Sequence, residues 1–356
     1  MNRLPQLREN MKARGIDAVI ILDELNQRYL SEFAFTDGLL LITQNTAHLI
    51  TDFRYYEMAL GKANKEFEVI MPSDRWALIE QILKEQSVAT VGFEGSFVSY
   101  EVYESYVAKF PFVSFVSIGD MLAVMRRIKS QDEIEKMQRA QDITDKAFAH
   151  VLKMLTPEMT ELDVAVELEY AMRKLGAESF AFETIAVSGD ASALPHGTPR
   201  AVKLRPGFLT MDFGAKLDGY CSDMTRTVVI GKADADMKKL YGTVLNAQLA
   251  ALEYLREGAD CGEADKVARD IIDSVPEFNG AFGHSLGHSI GLYVHETPGL
   301  SKRGFGTKLS AGQVTSVEPG IYLFGKYGCR IEDMVAIEKD GVYNFTHSTK
   351  ELIEIY

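Results

Sequence analysis

Seven histidines occur in the 356-residue chain, and three of them, His284, His288 and His295, crowd into one short stretch, GHSLGHSIGLYVHE. A lone buried histidine is more simply a satisfied core residue. Three close together beside Glu296, with glycines that let the backbone approach closely, suit ligation or proton transfer. The acidic counterpart lies upstream in LTMDFGAKLDGYCSDMTRTVVIG, where Asp212 and Asp223 flank Asp218-Gly219. That dipeptide between alternating apolar runs is a strong hairpin signal. A two-residue turn there pairs Leu217 with Tyr220, Gly214 with Asp223 and Met211 with Arg226. Strand alternation then sets Asp212 and Asp223 on one face, diagonal to each other and roughly 7–8 Å apart at Cα. Carboxylates so placed either decorate a wet sheet face or repel until something positive sits between them.

Two glutamates extend the set. Glu318 stands in TSVEPGIY, and Glu332 interrupts the apolar run CRIEDMVAI. A buried glutamate needs a partner or a metal. Here pairing geometry predicts no convergence. A symmetric turn centred on GKYG (325–328) puts Glu318 and Glu332 on opposite faces, while a loop of different effective length, or a bulge after Pro319, brings them together. Four carboxylates and one imidazole form a hard donor set for two divalent ions, with manganese, iron(II), cobalt and zinc as candidates. Such a pair lowers the pKa of a shared water and readies it to attack a carbonyl, while histidines nearby hydrogen-bond the oxyanion.

These residues need a scaffold, and the chain reads as two. LPQLRENMKARG has helical spacing and stops at Gly15; IDAVIIL reads as a buried strand; GLLLIT and AHLIT flank a turn at Gln44-Asn45. A helix over 52–62, another in WALIEQILKEQ and a strand in TVGFEG complete a small α/β domain, assigned to 1–124. Ser130 and Glu133 form a capping box that opens a long charged helix, and Thr160 with Asp163 caps a second that ends at Gly176. Glycine-punctuated strands from residue 180, broken by helices near 234–256 and 262–274, fill a larger domain assigned to 125–356. LRPGFLT and LSAGQVT, each leading to one of the acids, hint at an internal duplication.

Bulk properties narrow the function classes. A net charge of −13 offers no basic footprint for nucleic acid and no attraction to an anionic membrane. No stretch of about 18 apolar residues is present to span a bilayer. Three scattered cysteines, Cys221, Cys261 and Cys329, suit a reducing, cytoplasmic compartment, and Cys221 and Cys329 read as half-buried filler. Trp76 reads equally as helix packing or as a cleft wall.

Taken in order, SGDASALPHG, DFGAKLDGYCSDMTRT, GHSLGHSIGLYVHE, VEPGIY and RIED resemble the motifs of the pita-bread metallopeptidases, in the branch of Xaa-Pro aminopeptidases and prolidases. NQRYLSEFAFTDGLLLIT resembles that branch's smaller domain, so the likeness extends over nearly the whole chain. The resemblance implies an α/β (α+β) fold, with an N-terminal α/β domain followed by a pita-bread catalytic domain of internal pseudo-symmetry. It implies Asp212 on one ion, His288 and Glu318 on the other, and Asp223 with Glu332 bridging both. It further implies His196 and His295 as contacts to the substrate and its tetrahedral intermediate. Glu318 would act as proton shuttle, His284 would line the proline side, and Arg330 and Arg226 would support the ligands. The expected activity is release of the N-terminal residue before a proline by a two-metal homodimer, manganese first among the metals. An Xaa-Pro dipeptidase, a metal-free creatinase-like C–N hydrolase and a non-catalytic binding module are the alternatives, and the five intact ligand positions argue against the last two.

Overall fold

Helix caps and buried strands mark out the same punctuation in three dimensions. A computed structural model describes residues 3–356, and the chain divides into one compact unit ending at Met125 and a second from Arg126 to Tyr356. The first unit is a six-stranded mixed sheet of β1 (Ala18–Ile21), β2 (Leu39–Thr43), β3 (Ala47–Ile50), β4 (Glu68–Ile70), β5 (Thr90–Phe93) and β6 (Ser114–Ser117), ordered β4-β3-β2-β1-β5-β6. Every residue of β1, β2 and β3 is buried, as their mostly apolar runs require, and each Ile or Leu in them contributes about 1.5–3 kcal/mol. Helices α1 (Arg3–Ala13), α2 (Glu24–Ser31), α3 (Phe53–Lys62), α4 (Arg75–Glu85) and α5 (Tyr100–Lys109) accompany this sheet. Asp52 caps α3 and Asp74 caps α4 through their side chains. Trp76 packs edge-on against Tyr106 and tilted against Phe110, at 5.8 and 6.2 Å between ring centroids, so its role is core packing.

In the second unit a helical pair and a set of strands occur twice. After the short α6 (Met121–Arg127), α7 (Gln131–Met154) and α8 (Glu161–Lys174) each begin on a complete capping box, Ser130 with Glu133 and Thr160 with Asp163. Each cap stabilises its helix by about 1 kcal/mol. Strands β7 (Ser179–Phe180), β8 (Ile185–Ser188), β9 (Gly207–Phe213), β10 (Ala215–Leu217), β11 (Tyr220–Cys221) and β12 (Met224–Ile230) follow. Then come α9 (Ala235–Tyr254) and α10 (Cys261–Asp273), and after them β13 (Gly287–Ser289), β14 (Glu296–Leu300), β15 (Val314–Val317), β16 (Gly320–Leu323), β17 (Tyr327–Arg330), β18 (Asp333–Ile337), β19 (Val342–Asn344) and β20 (Glu354–Ile355). One core joins α7 and α8 to the β8, β9 and β12 side through Phe148, Leu168, Met211 and Val228. The other joins α9 and α10 to the β15–β18 side through Leu240, Ala268, Val317 and Val335. This is the mixed α/β architecture with pseudo-symmetric halves that the sequence leads one to expect.

Register follows the sequence reading in the first half and departs from it in the second. Leu217 opposes Tyr220, Lys216 opposes Cys221, and Met211 opposes Arg226, as the Asp-Gly turn requires. Asp218 and Gly219 both take positive φ, +50° and +87°. The symmetric GKYG turn does not form. Leu323 opposes Tyr327, leaving a three-residue loop, Phe324–Lys326, with Gly325 at φ +72°. The same register continues where Val317 opposes Asp333, so Glu318 and Glu332 stand across from each other. A different effective loop length thus replaces the opposite-face arrangement.

Candidate metal centre

Asp212 is the penultimate residue of β9, Asp223 precedes β12, His288 sits in β13, Glu318 follows β15 and Glu332 precedes β18. All five line one cleft of about 380 Å3, together with His196, His284, His295 and Arg330. Apolar side chains Phe182, Ile185, Pro195 and Val294 and the exposed carboxylate of Glu183 complete its wall. Larger hollows, of about 870, 760 and 400 Å3, bring no comparable cluster of carboxylates and imidazoles together.

At the floor, donor atoms of Asp223, His288 and Glu332 lie within 4.8 Å of one another. His288 Nε2 is 3.6 Å from Asp223 Oδ2 and 3.4 Å from Glu318 Oε1. Its Nδ1 lies 3.2 Å from the Ser289 carbonyl, which suits a tautomer whose Nε2 lone pair faces the carboxylates. Strand packing fixes that ring: a Cβ at Gly287 would lie 2.1 Å from the Ser316 carbonyl oxygen, so only glycine allows β13 this close to β15. Ser316 Oγ accepts from the His288 N–H at 3.1 Å and donates to Glu318 Oε1 at 3.1 Å.

Arg330 braces the other side. Its Nη2 donates to Asp212 Oδ2 at 2.6 Å, Nε to Thr225 Oγ1 at 3.0 Å and Nη1 to Tyr322 OH at 2.6 Å. Thr225 in turn donates to Glu332 Oε2 at 2.7 Å. His284 Nε2 lies 3.0 Å from Tyr322 OH. Arg226 does not line the cleft; it holds Glu332 from behind, donating to the carbonyls of Glu332 and Thr225 and pairing with buried Asp333 at 2.8 Å. Thr225, Ser316 and Tyr322 escaped the sequence reading. Tyr322 was within reach, because alternation along VEPGIY places it on the face of Glu318.

Electrostatics set this floor apart from an ordinary polar cleft. Burial, then the neighbouring carboxylates Glu332, Asp212 and Glu318, push the Asp223 carboxyl well above its usual range. Burial followed by Glu318 and Asp212 does the same to Glu332. Burial raises Glu318 to about 8. His288 is lowered to about 4 by burial and by His295, and His284 to about 4 by burial and Arg330. At neutral pH both imidazoles are therefore neutral, the form a metal requires. Asp212 Oδ1 is buried with no hydrogen-bond partner among the described residues. Four carboxylates against one guanidinium, with an orphaned oxygen among them, is a site that lacks positive charge.

Residues 135–339 match the model of metallopeptidase family M24, and residues 3–128 match the Creatinase/Prolidase N-terminal domain. The chain belongs to metallopeptidase family M24. This M24 chain is 36% identical over 354 residues to an Xaa-Pro dipeptidase of Pyrococcus horikoshii, covering 99% of itself and 98% of that protein. Among solved structures it resembles an Xaa-Pro dipeptidase from Bacillus anthracis, with TM-score 0.94, 38% identity and 99% of each chain covered. It also resembles an X-Pro aminopeptidase from Thermotoga maritima, with TM-score 0.92, 35% identity, and 98% and 100% of the chains covered. No helix among the described residues is long and apolar enough to cross a membrane.

Proposed function

We propose that the chain hydrolyses peptide bonds on the amino side of proline, using two divalent ions held by Asp212, Asp223, His288, Glu318 and Glu332. One observation carries the reading: four carboxylates and a neutral imidazole converge in one cleft with a single guanidinium to balance them. The donors fit hard divalent ions, with manganese first and cobalt, zinc or iron next. When bound, such ions polarise the scissile carbonyl and acidify water near neutral pH. The orphaned Asp212 Oδ1 is the atom most in need of that charge.

The chain's own groups supply the rest. Glu318, half-buried and hydrogen-bonded among the described residues on Oε1 by Ser316, accepts a proton from the attacking water and passes it to the leaving nitrogen. His196 and His295, on the cleft wall, donate hydrogen bonds to the carbonyl oxygen as it gains charge. His284, steadied by Tyr322, lines the proline side. Arg330 keeps Asp212 and Tyr322 in place and leaves Asp212 Oδ1 open to an ion. Proline's tertiary amide carries no N–H, so an apolar wall such as Phe182, Ile185 and Val294 suits it better than a donor-seeking pocket.

Removal of the N-terminal residue from longer peptides is the first reading. A dipeptidase must hold its substrate's free carboxylate, and the single permanent cation lining the cleft among the described residues, Arg330, is committed to Asp212, Thr225 and Tyr322. The dipeptidase names carried by similar proteins favour the second reading, an Xaa-Pro dipeptidase. Buried, unpaired Cys221, Cys261 and Cys329 suit a reducing cytoplasm, and a homodimer completes the proposal. The test is hydrolysis of Ala-Pro, Ala-Pro-Ala and Ala-Ala-Ala by chelator-stripped protein with and without manganese. Metal-restored cleavage of Ala-Pro-Ala before proline supports the aminopeptidase. Cleavage of Ala-Pro alone makes it a dipeptidase, and no metal-dependent turnover of any substrate sinks both.

A further inference from the structure

The loop that carries His295 is tied down by an ion cluster outside the metal centre. Glu296, the next residue, is buried, and each carboxylate oxygen takes one cation: Arg126 Nε reaches Oε1 at 3.0 Å and Lys129 Nζ reaches Oε2 at 3.2 Å. The three side chains are only 5%, 9% and 2% exposed, for Glu296, Arg126 and Lys129 respectively. The carboxylate fills the space beneath the loop's bend, because a Cβ at Gly291 would meet Glu296 Oε2 at 2.7 Å. The Arg126 guanidinium also lies over the Tyr293 ring, 4.9 Å from its centroid. The segment between these grips holds Val294 and His295, whose ring packs edge-on against His288 at 4.3 Å.

The cationic side is itself fixed. The Lys129 N–H donates to the Gly312 carbonyl at 2.9 Å, and the capping box of α7 starts at the next residue. Within that box Glu133 accepts from Tyr220 OH at 2.6 Å, in the hairpin that carries Asp223. One short stretch, residues 126–133, therefore holds both the His288–His295 loop and the Asp212–Asp223 hairpin. Burying three charges costs several kcal/mol of desolvation, which a surface loop contact would not repay. A placement requirement on His295 accounts for it.

We propose that Glu296, clamped by Arg126 and Lys129, is a positioning residue that sets where His295 meets the substrate. This rests on the peptidase reading above, in which His295 hydrogen-bonds the developing oxyanion. Oxyanion donors out of place by about 1 Å cost on the order of a hundredfold in rate. Glu296→Gln should therefore lower kcat on an Xaa-Pro peptide about 10- to 100-fold, with KM and manganese stoichiometry unchanged. Because the single change strands two buried cations, the second variant is Lys129→Met with Glu296→Gln, which removes charge from both sides and should recover thermal stability. If positioning is the role, kcat stays low in the double variant although its melting temperature returns. If kcat returns with stability, the proposal is overturned. A readout independent of turnover is the 15N spectrum of histidine-labelled, metal-free protein. Glu296→Gln should displace the His295 ring resonances and leave those of exposed His150 and His347 unmoved. Unchanged His295 resonances overturn the proposal even if the wild type proves inactive on Xaa-Pro bonds, an outcome that would sink only the peptidase reading.

Discussion

Two hairpins bring the four carboxylates together, and they do so by different means. Asp212 and Asp223 flank a two-residue turn whose Asp218 and Gly219 both adopt positive φ, so the turn's own residues favour the register that the β10–β11 and β9–β12 ladders continue. Glu318 and Glu332 flank a three-residue loop, and their placement is shared with ladders on either side, β16 with β17 and β15 with β18. The first hairpin is a local solution and the second a tertiary one. The same chemical end, two acids facing one spot, does not need the same kind of encoding.

The largest expected effect tests whether the two hairpins form one centre. Asp223→Asn removes a donor from the first and should lower metal-dependent turnover by about two to three orders of magnitude, with circular dichroism unchanged. A variant that keeps more than about a tenth of the wild-type rate breaks the assignment. Thr225→Val comes next, because Thr225 lies in the first hairpin yet donates to Glu332 of the second. Losing that cross-link should weaken manganese affinity about 10- to 100-fold by calorimetry, and an unchanged affinity would mean the hairpins orient their acids independently.

A third test is pH. In metal-free protein Asp223 and Glu332 are raised well above the usual carboxylate range and Glu318 to about 8, while in unfolded chain they titrate near 4. Between those values the native state binds more protons than the unfolded state, so stability falls as pH rises. His284 and His288, lowered to about 4, act in the opposite sense below about 6.5. The carboxyl effect therefore stands clear from pH 6.5 to 8. The melting temperature of metal-free protein should drop across that window and manganese should reverse the drop, since the ligands bind deprotonated. A metal-free melting temperature that rises instead would contradict the shared burial of these acids.

The smallest effect distinguishes the turns. Gly219→Ala and Gly325→Ala each place a side chain at positive φ and should cost about 1–2 kcal/mol by denaturant unfolding. Only the first should also weaken metal binding, because only there does the turn set the register. Equal losses of affinity would erase the contrast.

The same contrast explains what could be read in advance. Caps at Ser130 and Thr160, the apolar runs of β1 to β3 and the Asp-Gly turn are short-range signals, and each element formed where its residues called for it. Nine of the ten residues singled out for chemistry meet in one cleft, and the tenth, Arg226, stands behind it. The register of β16 with β17 was not legible, because GKYG accommodates more than one loop length and the choice is made by strands that pair elsewhere. Thr225 and the Lys129–Glu296 contact were equally hidden. Their partners lie 107 and 167 residues away along the chain, and nothing in local pattern announces such a meeting.

The ladder that brackets Glu318 and Glu332 on both sides also has a consequence for how this family can diversify. The tip at Phe324–Lys326 projects outward, with Phe324 94% exposed, and the strand pairs behind it already hold the two acids in place. Chain can be lengthened, exchanged or grafted at that tip without disturbing the floor of the cleft. It is a site where selection, or an engineer, can vary the surface beside Lys239 and Glu277 while the cleft itself stays fixed.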